Sequence, residues 1–310
     1  MELRLLFLKV IWLKNKFNIH FLFVFIAAAF WGAAGIFVKA VGNFGIKEMQ
    51  IVFFRAFFSS AVLGLIILFK NKKLFKVNLK DLWLFAAAGV FSIVLFNFSY
   101  YKTMALTSLS VAAVLLYTAP IFVCVLSVLL FREKITINKI LALIMAFIGC
   151  CFVSGVFSQQ HRLTPTALLF GILTGFGYSL YTIFSQILIN KGYGSLTITF
   201  YTFLFAAIGS LPLMNVSKTV SVVVAEPMSL LILFLMAVTN TVIPYLLYTV
   251  GLVGVPTSVA PIIATIEPVV ATLISVLIYH EAFEIWHFLG IALVLLSVLV
   301  LNLRCKKNEA

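Results

Sequence analysis

Residues 256–281 read PTSVAPIIATIEPVVATLISVLIYHE, a membrane-length apolar run with prolines at 261 and 268, a carboxylate at Glu267 and a His-Glu pair at its end. About twenty apolar residues in a row span the hydrocarbon core of a bilayer as a helix. An ionised side chain at the centre of such a run costs a few kcal/mol even on the gentlest scales, which makes Glu267 a functional candidate by default. Each proline removes a backbone donor and leaves a carbonyl without its helical partner. Such breaks survive in a membrane where neighbouring helices or a water-filled cavity satisfy the freed groups. Something polar is therefore expected to run past this helix.

The rest of the chain has the same character. Of 310 residues, 64% are hydrophobic and 10% charged, with a mean hydropathy of +1.19. A soluble domain of this size needs far more polar surface. The apolar runs are continuous and do not alternate, which excludes a transmembrane β-barrel. The net charge of +13 invites a nucleic-acid reading, but the basic residues sit in short loops between apolar runs and read as topology signals. No nucleic-acid partner is expected. Cys124, Cys150, Cys151 and Cys305 show neither metal spacing nor a disulfide framework. There is no Walker A sequence, dinucleotide fingerprint or nucleophile elbow, so neither ATP-driven work nor a cofactor is expected.

Residues 1–18 mix basic and bulky apolar residues, as a helix lying on the cytoplasmic membrane surface does. Ten apolar spans follow at about 19–41, 48–69, 82–101, 105–131, 138–157, 166–189, 196–214, 229–250, 256–279 and 285–303. With the N-terminus cytoplasmic, the inside segments hold Arg4, Lys9, Lys14 and Lys16, then Lys70, Lys72, Lys73, Lys76 and Lys80. Arg132, Lys134, Lys139, Lys191, Arg304, Lys306 and Lys307 complete the inside set. The outside loops hold only Lys39, Lys47, Lys102, Arg162 and Lys218, and Arg55 lies within a span. The bias places both termini inside.

The spans repeat. WGAAGIFVK (31–39) aligns with YSLYTIFSQ (178–186), and IVFFRAFF (51–58) with ITFYTFLF (198–205). After one residue of slippage Ser110 meets Ser258, Ala112 meets Ala260, Pro120 meets Pro268, Ser127 meets Ser275 and Glu133 meets Glu281. Five spans per half is odd, so the halves sit in opposite orientation, the inverted repeat of a transporter with its site between them. The expected fold is thus an all-α polytopic membrane protein with ten transmembrane helices in two inverted five-helix repeats, 19–157 and 165–303. A basic segment (1–18) precedes them and a cytoplasmic tail (304–310) follows.

The same residues resemble the drug/metabolite transporter superfamily, EamA type. FWGAAGIFVK, the lone arginine of FFRAFF, TSLSVAAVLLYTAPIFVCVLSVLLFREKIT, YSLYTIF and PTSVAPIIATIEPVVATLISVLIYHEAFE carry the likeness, by their order and duplication. Together they span residues 20–303. The resemblance implies two EamA repeats in a multi-pass cell membrane protein, that of a bacterium, exporting or exchanging small metabolites such as amino acids. His280 departs from it, standing where the family usually has glycine.

The two halves differ where chemistry is expected. Glu267 stands opposite Ala119 and Arg55 opposite Thr202, so the repeat demands neither charge. Glu267 reads as a proton-titratable or cation-binding group facing a cavity, since an apolar setting favours a carboxylate's neutral form. The alternative is a structural cap on amides near a broken helix. Arg55 reads as a fork for a substrate carboxylate, with a packing salt bridge or snorkelling as the alternative. Pro244 frees the carbonyl of Asn240, which places Asn240, Tyr245 and Tyr248 on one stripe. Asn97 and Tyr100 occupy the places of Tyr245 and Tyr248 in the first half. With Trp31, Tyr117, Tyr178 and Tyr181 these residues would furnish an aromatic, sparsely polar cavity for an amphipathic organic substrate. Each taken singly also fits lipid contact or core packing. Gly171 and Gly175 form a GxxxG packing face. Glu133 and Glu281, with Pro120 and Pro268, end or bend matching spans and read either as gates at the two mouths or as helix caps. His280, Glu281, Glu284 and His287 match no metal motif, so no metal is expected.

These features point to a secondary transporter, not an enzyme. It would export amino acids or related metabolites by alternating access, with protons as a candidate coupling partner. A non-transporting receptor or scaffold and an intramembrane lipid-modifying enzyme are the alternatives; the enzyme would need a cluster of acids or histidines at depth. A monomer and a homodimer both fit the sequence.

Overall fold

In the computed structural model, which describes residues 19–156, 163–280 and 282–304, no strand occurs among the described residues. The amphipathic segment 1–18, Glu281 and the end of the tail lie outside them. Among the described residues eight helices are long and apolar enough to cross a membrane: α1 (Ile19–Gly42), α2 (Glu48–Lys70), α3 (Leu79–Leu106), α4 (Leu109–Phe131), α6 (Pro165–Asn190), α7 (Ser195–Leu213), α8 (Met228–Gly251) and α9 (Ala260–Tyr279). Two shorter apolar helices, α5 (Ile137–Val153) and α10 (Ile285–Arg304), complete the ten. Large apolar side chains stay on the outside, with Phe69 at 85% exposure and Leu129 at 70%. Water would penalise that surface; lipid would not.

Helix neighbours come in matched pairs. α2 packs on α7 and α5 on α10, each helix against its own counterpart in the other repeat. α3 packs on α6 as α8 does on α1, and α4 on α6 as α9 does on α1. That pattern is what a two-fold relation between the halves produces. Small residues permit the close approaches. A Cβ on Gly290 would stand 2.7 Å from the Gly149 carbonyl oxygen across the α5–α10 contact. Gly171 and Gly175 do form a packing face, turned to Leu115 and Thr118 of α4.

The irregularities repeat as well. α3 carries a π-helical stretch at Ala88–Val94 and α8 one at Val238–Val242, a turn type common at functional positions. α4 breaks after Leu116 and resumes at Ala119; α9 breaks after Ala264 and resumes at Ile266. At each break a threonine hydroxyl takes up a loosened carbonyl, Thr118 donating to Leu115 O at 2.6 Å and Thr265 to Ile262 O at 2.7 Å. Arg132 and His280 close the two helices in the same left-handed conformation, with φ of 55° and 54°.

Several details differ from the sequence expectation: the third span runs to Leu106, not 101, and the fifth ends at Val153, not 157. The ninth span starts at Ala260, not 256, and Pro261 lies in its first turn, where the missing N–H breaks no bond. The fourth starts at Leu109, because Ser108 caps it by accepting from Val111 N. A short helix, Val216–Ala225, joins α7 to α8, where the sequence suggested only a loop.

Candidate functional site

The breaks in α4 and α9 open the space that the site occupies. Glu267 lies one residue past the α9 break and is partly buried. It borders a narrow cavity with Tyr117 and Pro120 of α4, Tyr178 of α6, and Pro261 and Thr265 of its own helix. Arg55 is not on this lining. Gly32 of α1 makes this placement sterically feasible. A Cβ there would stand 2.5 Å from the Glu267 carbonyl oxygen and 2.7 Å from the Val270 Cβ.

Tyr178 also lines a second cavity, shared with Trp31, Ser92, Ile93, Phe96, Tyr181, Thr182, Tyr245 and Tyr248. The rings meet mostly edge to face. Trp31 and Tyr245 centroids are 5.0 Å apart at 68°, Tyr181 and Tyr245 4.8 Å at 85°, the arrangement that ring quadrupoles favour. Two phenols are already engaged, Tyr181 with Thr249 Oγ1 at 2.7 Å and Tyr248 with Thr182 Oγ1 at 2.8 Å.

The expected site residues therefore divide. Trp31, Tyr178, Tyr181, Tyr245 and Tyr248 converge on the aromatic cavity, and Tyr117 joins Tyr178 beside Glu267. Tyr100 packs on Phe96 and Tyr101. The two asparagines are not on either lining. Asn97 donates to Ile93 O at 2.7 Å in its own helix, and Asn240 donates to Phe30 O beside the irregularity at Ala33 in α1. Arg55 Nε donates to Thr241 Oγ1 at 3.1 Å, which bridges α2 to the π-helical stretch of α8. Pro120 and Pro268 both stand just past a helix break. Ser92, Thr182, Thr241 and Thr249 were not anticipated. A hydroxyl amid apolar residues is ubiquitous in this chain and carries no sequence signal of its own.

At one end of the bundle Glu133 ties the repeats together. Its carboxylate accepts from Thr257 N at 2.6 Å, Ser258 N at 3.2 Å and the Ser258 hydroxyl, so it caps the approach to α9. Lys139 Nζ reaches it at 3.2 Å and the Ser258 hydroxyl at 2.8 Å. Burial pushes the Glu133 carboxyl up, but the Ser258 hydroxyl, the Lys139 charge and the two amides outweigh it and hold the group below its ordinary value. Asp81, in the first turn of α3, pairs with Lys191 after α6 at 2.9 Å and accepts from the Tyr193 hydroxyl at 2.7 Å. Among the described residues no three His, Cys, Asp or Glu side chains gather as a metal site. Glu284 N donates to His287 Nδ1 at 3.0 Å, as at a helix start.

The sequence profile of the EamA-like transporter family matches residues 6–155 and 165–303. An uncharacterised transporter of Archaeoglobus fulgidus is 29% identical over 287 residues, covering 89% of this chain and 94% of that one. The uncharacterised transporter YetK of Bacillus subtilis is 27% identical, covering 82% and 78%. The uncharacterised inner membrane transporter YicL of Salmonella typhimurium is 25% identical, covering 92% and 95%. A solved crystal structure superimposes with a TM-score of 0.76 over 94% of this chain and 99% of its own, at 14% identity. That last likeness speaks of fold alone.

Proposed function

Because this chain belongs to the EamA-like transporter family and is a multi-pass membrane transporter of that type, we propose that it exports amino acids or related small amphipathic metabolites, with Glu267 as the proton-coupling group. The observation that carries this is the position of Glu267, a partly buried carboxylate just past a helix break, on a cavity lined by Tyr117 of one repeat and Tyr178 of the other. A carboxylate so placed can exchange its proton for a substrate ammonium, while Arg55 offers a guanidinium to a substrate carboxylate. The aromatic cavity beside it supplies the apolar contact that a mid-sized organic molecule needs. Alternating access would require the Glu133 cap to open and re-form with each cycle, since it joins the end of α4 to the start of α9. In this reading the loop charge bias keeps both termini on the cytoplasmic side, and transport runs outward.

The test is radiolabelled amino-acid flux from proteoliposomes with and without an imposed pH gradient. The parent should respond to the gradient and Glu267→Gln should transport without that response. Flux indifferent to the gradient in both proteins would end the proton-coupling assignment.

A further inference from the structure

Two backbone carbonyls at the helix breaks are left without a use. In an unbroken helix Leu116 O would accept from residue 120 and Ala264 O from residue 268, but both of those are prolines and carry no N–H. Among the described residues no turn or loop amide reaches either oxygen. The threonine hydroxyls at the breaks serve Leu115 and Ile262 instead. Leu116 and Ala264 end the first segments of α4 and α9. Each is thus the free carbonyl end of a helix, where partial negative charge gathers. They hold equivalent positions in the two repeats, are both buried, and both line the narrow cavity that Glu267 borders. Buried acceptors are almost always satisfied, so a pair of them beside a carboxylate calls for an occupant.

The lining restricts what that occupant is. Tyr117, Tyr178 and Thr265 add hydroxyl-bearing side chains, and no Lys, Arg or His borders the space. Arg55 spends its Nε on Thr241. A charged Glu267 therefore stands with two negative helix ends, and water brings no charge to offset them. A proton or a cation does. The space takes about one water-sized body, which admits a bare alkali ion and excludes a hydrated one. One carboxylate balances one positive charge, whereas a divalent ion favours a fuller set of acids. We infer that this cavity is a Na+ site, the ion held by the Glu267 carboxylate and by the Leu116 and Ala264 carbonyls, one from each repeat. Unwound carbonyls and the C-terminal ends of half-helices are ligands that secondary transporters use for such ions. Glu267 keeps its proposed coupling role, on which this assignment rests, and gains a second occupant. A proton leaving the carboxylate makes room for the ion, so the two compete.

The probe is radiolabelled Na+. Its binding to the purified full chain is followed by scintillation proximity, with N-methyl-D-glucamine chloride holding the ionic strength constant. The parent should bind Na+ saturably at alkaline pH and release it on acidification. Glu267→Gln should bind none. Pro120→Ala and Pro268→Ala each return an N–H to one of the carbonyls and should weaken Na+ binding about tenfold, the loss expected when one ligand is tied up in a hydrogen bond. Parent-like unfolding midpoints in sodium-free medium establish that these variants fold, and the parent with Glu267→Gln decides the matter where one does not. No saturable binding to the parent, binding kept in Glu267→Gln, or parental affinity in both proline variants would overturn the inference and leave the carbonyls to bound water. Amino-acid flux is read separately, in sodium-free proteoliposomes. A pH-gradient response there without Na+ binding removes the Na+ site alone, and Na+ binding without that response removes the proton-coupling reading alone.

Discussion

Replacing Glu133 should loosen the molecule by an amount that its geometry specifies. The carboxylate takes two backbone N–H groups, from Thr257 and Ser258, and those residues are 3% and 2% exposed. Water therefore cannot substitute for the lost acceptor without a local opening. A hydrogen bond to a charged partner contributes about 1.5–3 kcal/mol, so Glu133→Ala removes roughly 3 kcal/mol at the lower bound. Glu133→Gln keeps one acceptor oxygen but places an amide against Lys139, and should cost about half as much. At about 2 °C per kcal/mol for a chain of this size, the unfolding midpoint falls by roughly 6 °C in the alanine variant and 3 °C in the glutamine variant. Hydrogen exchange sharpens the assay, since peptides covering residues 255–260 should exchange at least several-fold faster in both. The effect also depends on pH in a definite sense. The folded protein holds this carboxyl below its ordinary value of 4.5. Its stabilisation is thus fully present above that value and is lost as pH falls through the lower, folded one. Glu133→Gln should flatten that acid limb. A midpoint for Glu133→Ala within 1 °C of the parent, with exchange at 255–260 unchanged, would refute the reasoning.

Asp81→Asn should cut the link to Lys191 and Tyr193 and lower the midpoint at low salt, with the gap to the parent narrowing at high salt because the pair is near the surface. Gly290→Leu should force α5 and α10 apart, at a cost of about 1–3 kcal/mol or more, read as a lower midpoint with α1–α4 contacts preserved in hydrogen exchange. Gly32→Ala should push α9 off α1 at the Glu267 carbonyl, reducing flux in proteoliposomes more than it reduces stability.

Much of this architecture could be read from the sequence because a membrane enforces it. The ten spans were set by length and apolarity, and their ends shifted by a few residues, as at the Ser108 cap and at Pro261. The duplicated Pro120 and Pro268 pointed to matching helix breaks, which the structure places two or three residues before each. What stayed hidden was partnership across the fold. Nothing in REKIT announces that Glu133 will cap amides 124 residues away, and nothing distinguishes Asn240, turned to a backbone carbonyl, from a cavity-lining amide. The aromatic residues come together on the cavities and the two asparagines do not. Rings that must be buried together in a sparsely polar bundle have few other places to go, whereas an amide can satisfy itself on any nearby carbonyl.

The matched helix contacts have a consequence for how the polypeptide must be made. α2 covers α7, α5 covers α10, and α1 lies on α8 and α9, so neither half buries its own interior. A ribosome that has finished only the first five helices has therefore delivered an unfinished object, with the surfaces meant for its twin still facing lipid. The same logic allows the chain to be severed between residues 156 and 163 and the halves supplied as separate polypeptides. Each should be short-lived when expressed alone, and each should rescue the other when they are co-expressed.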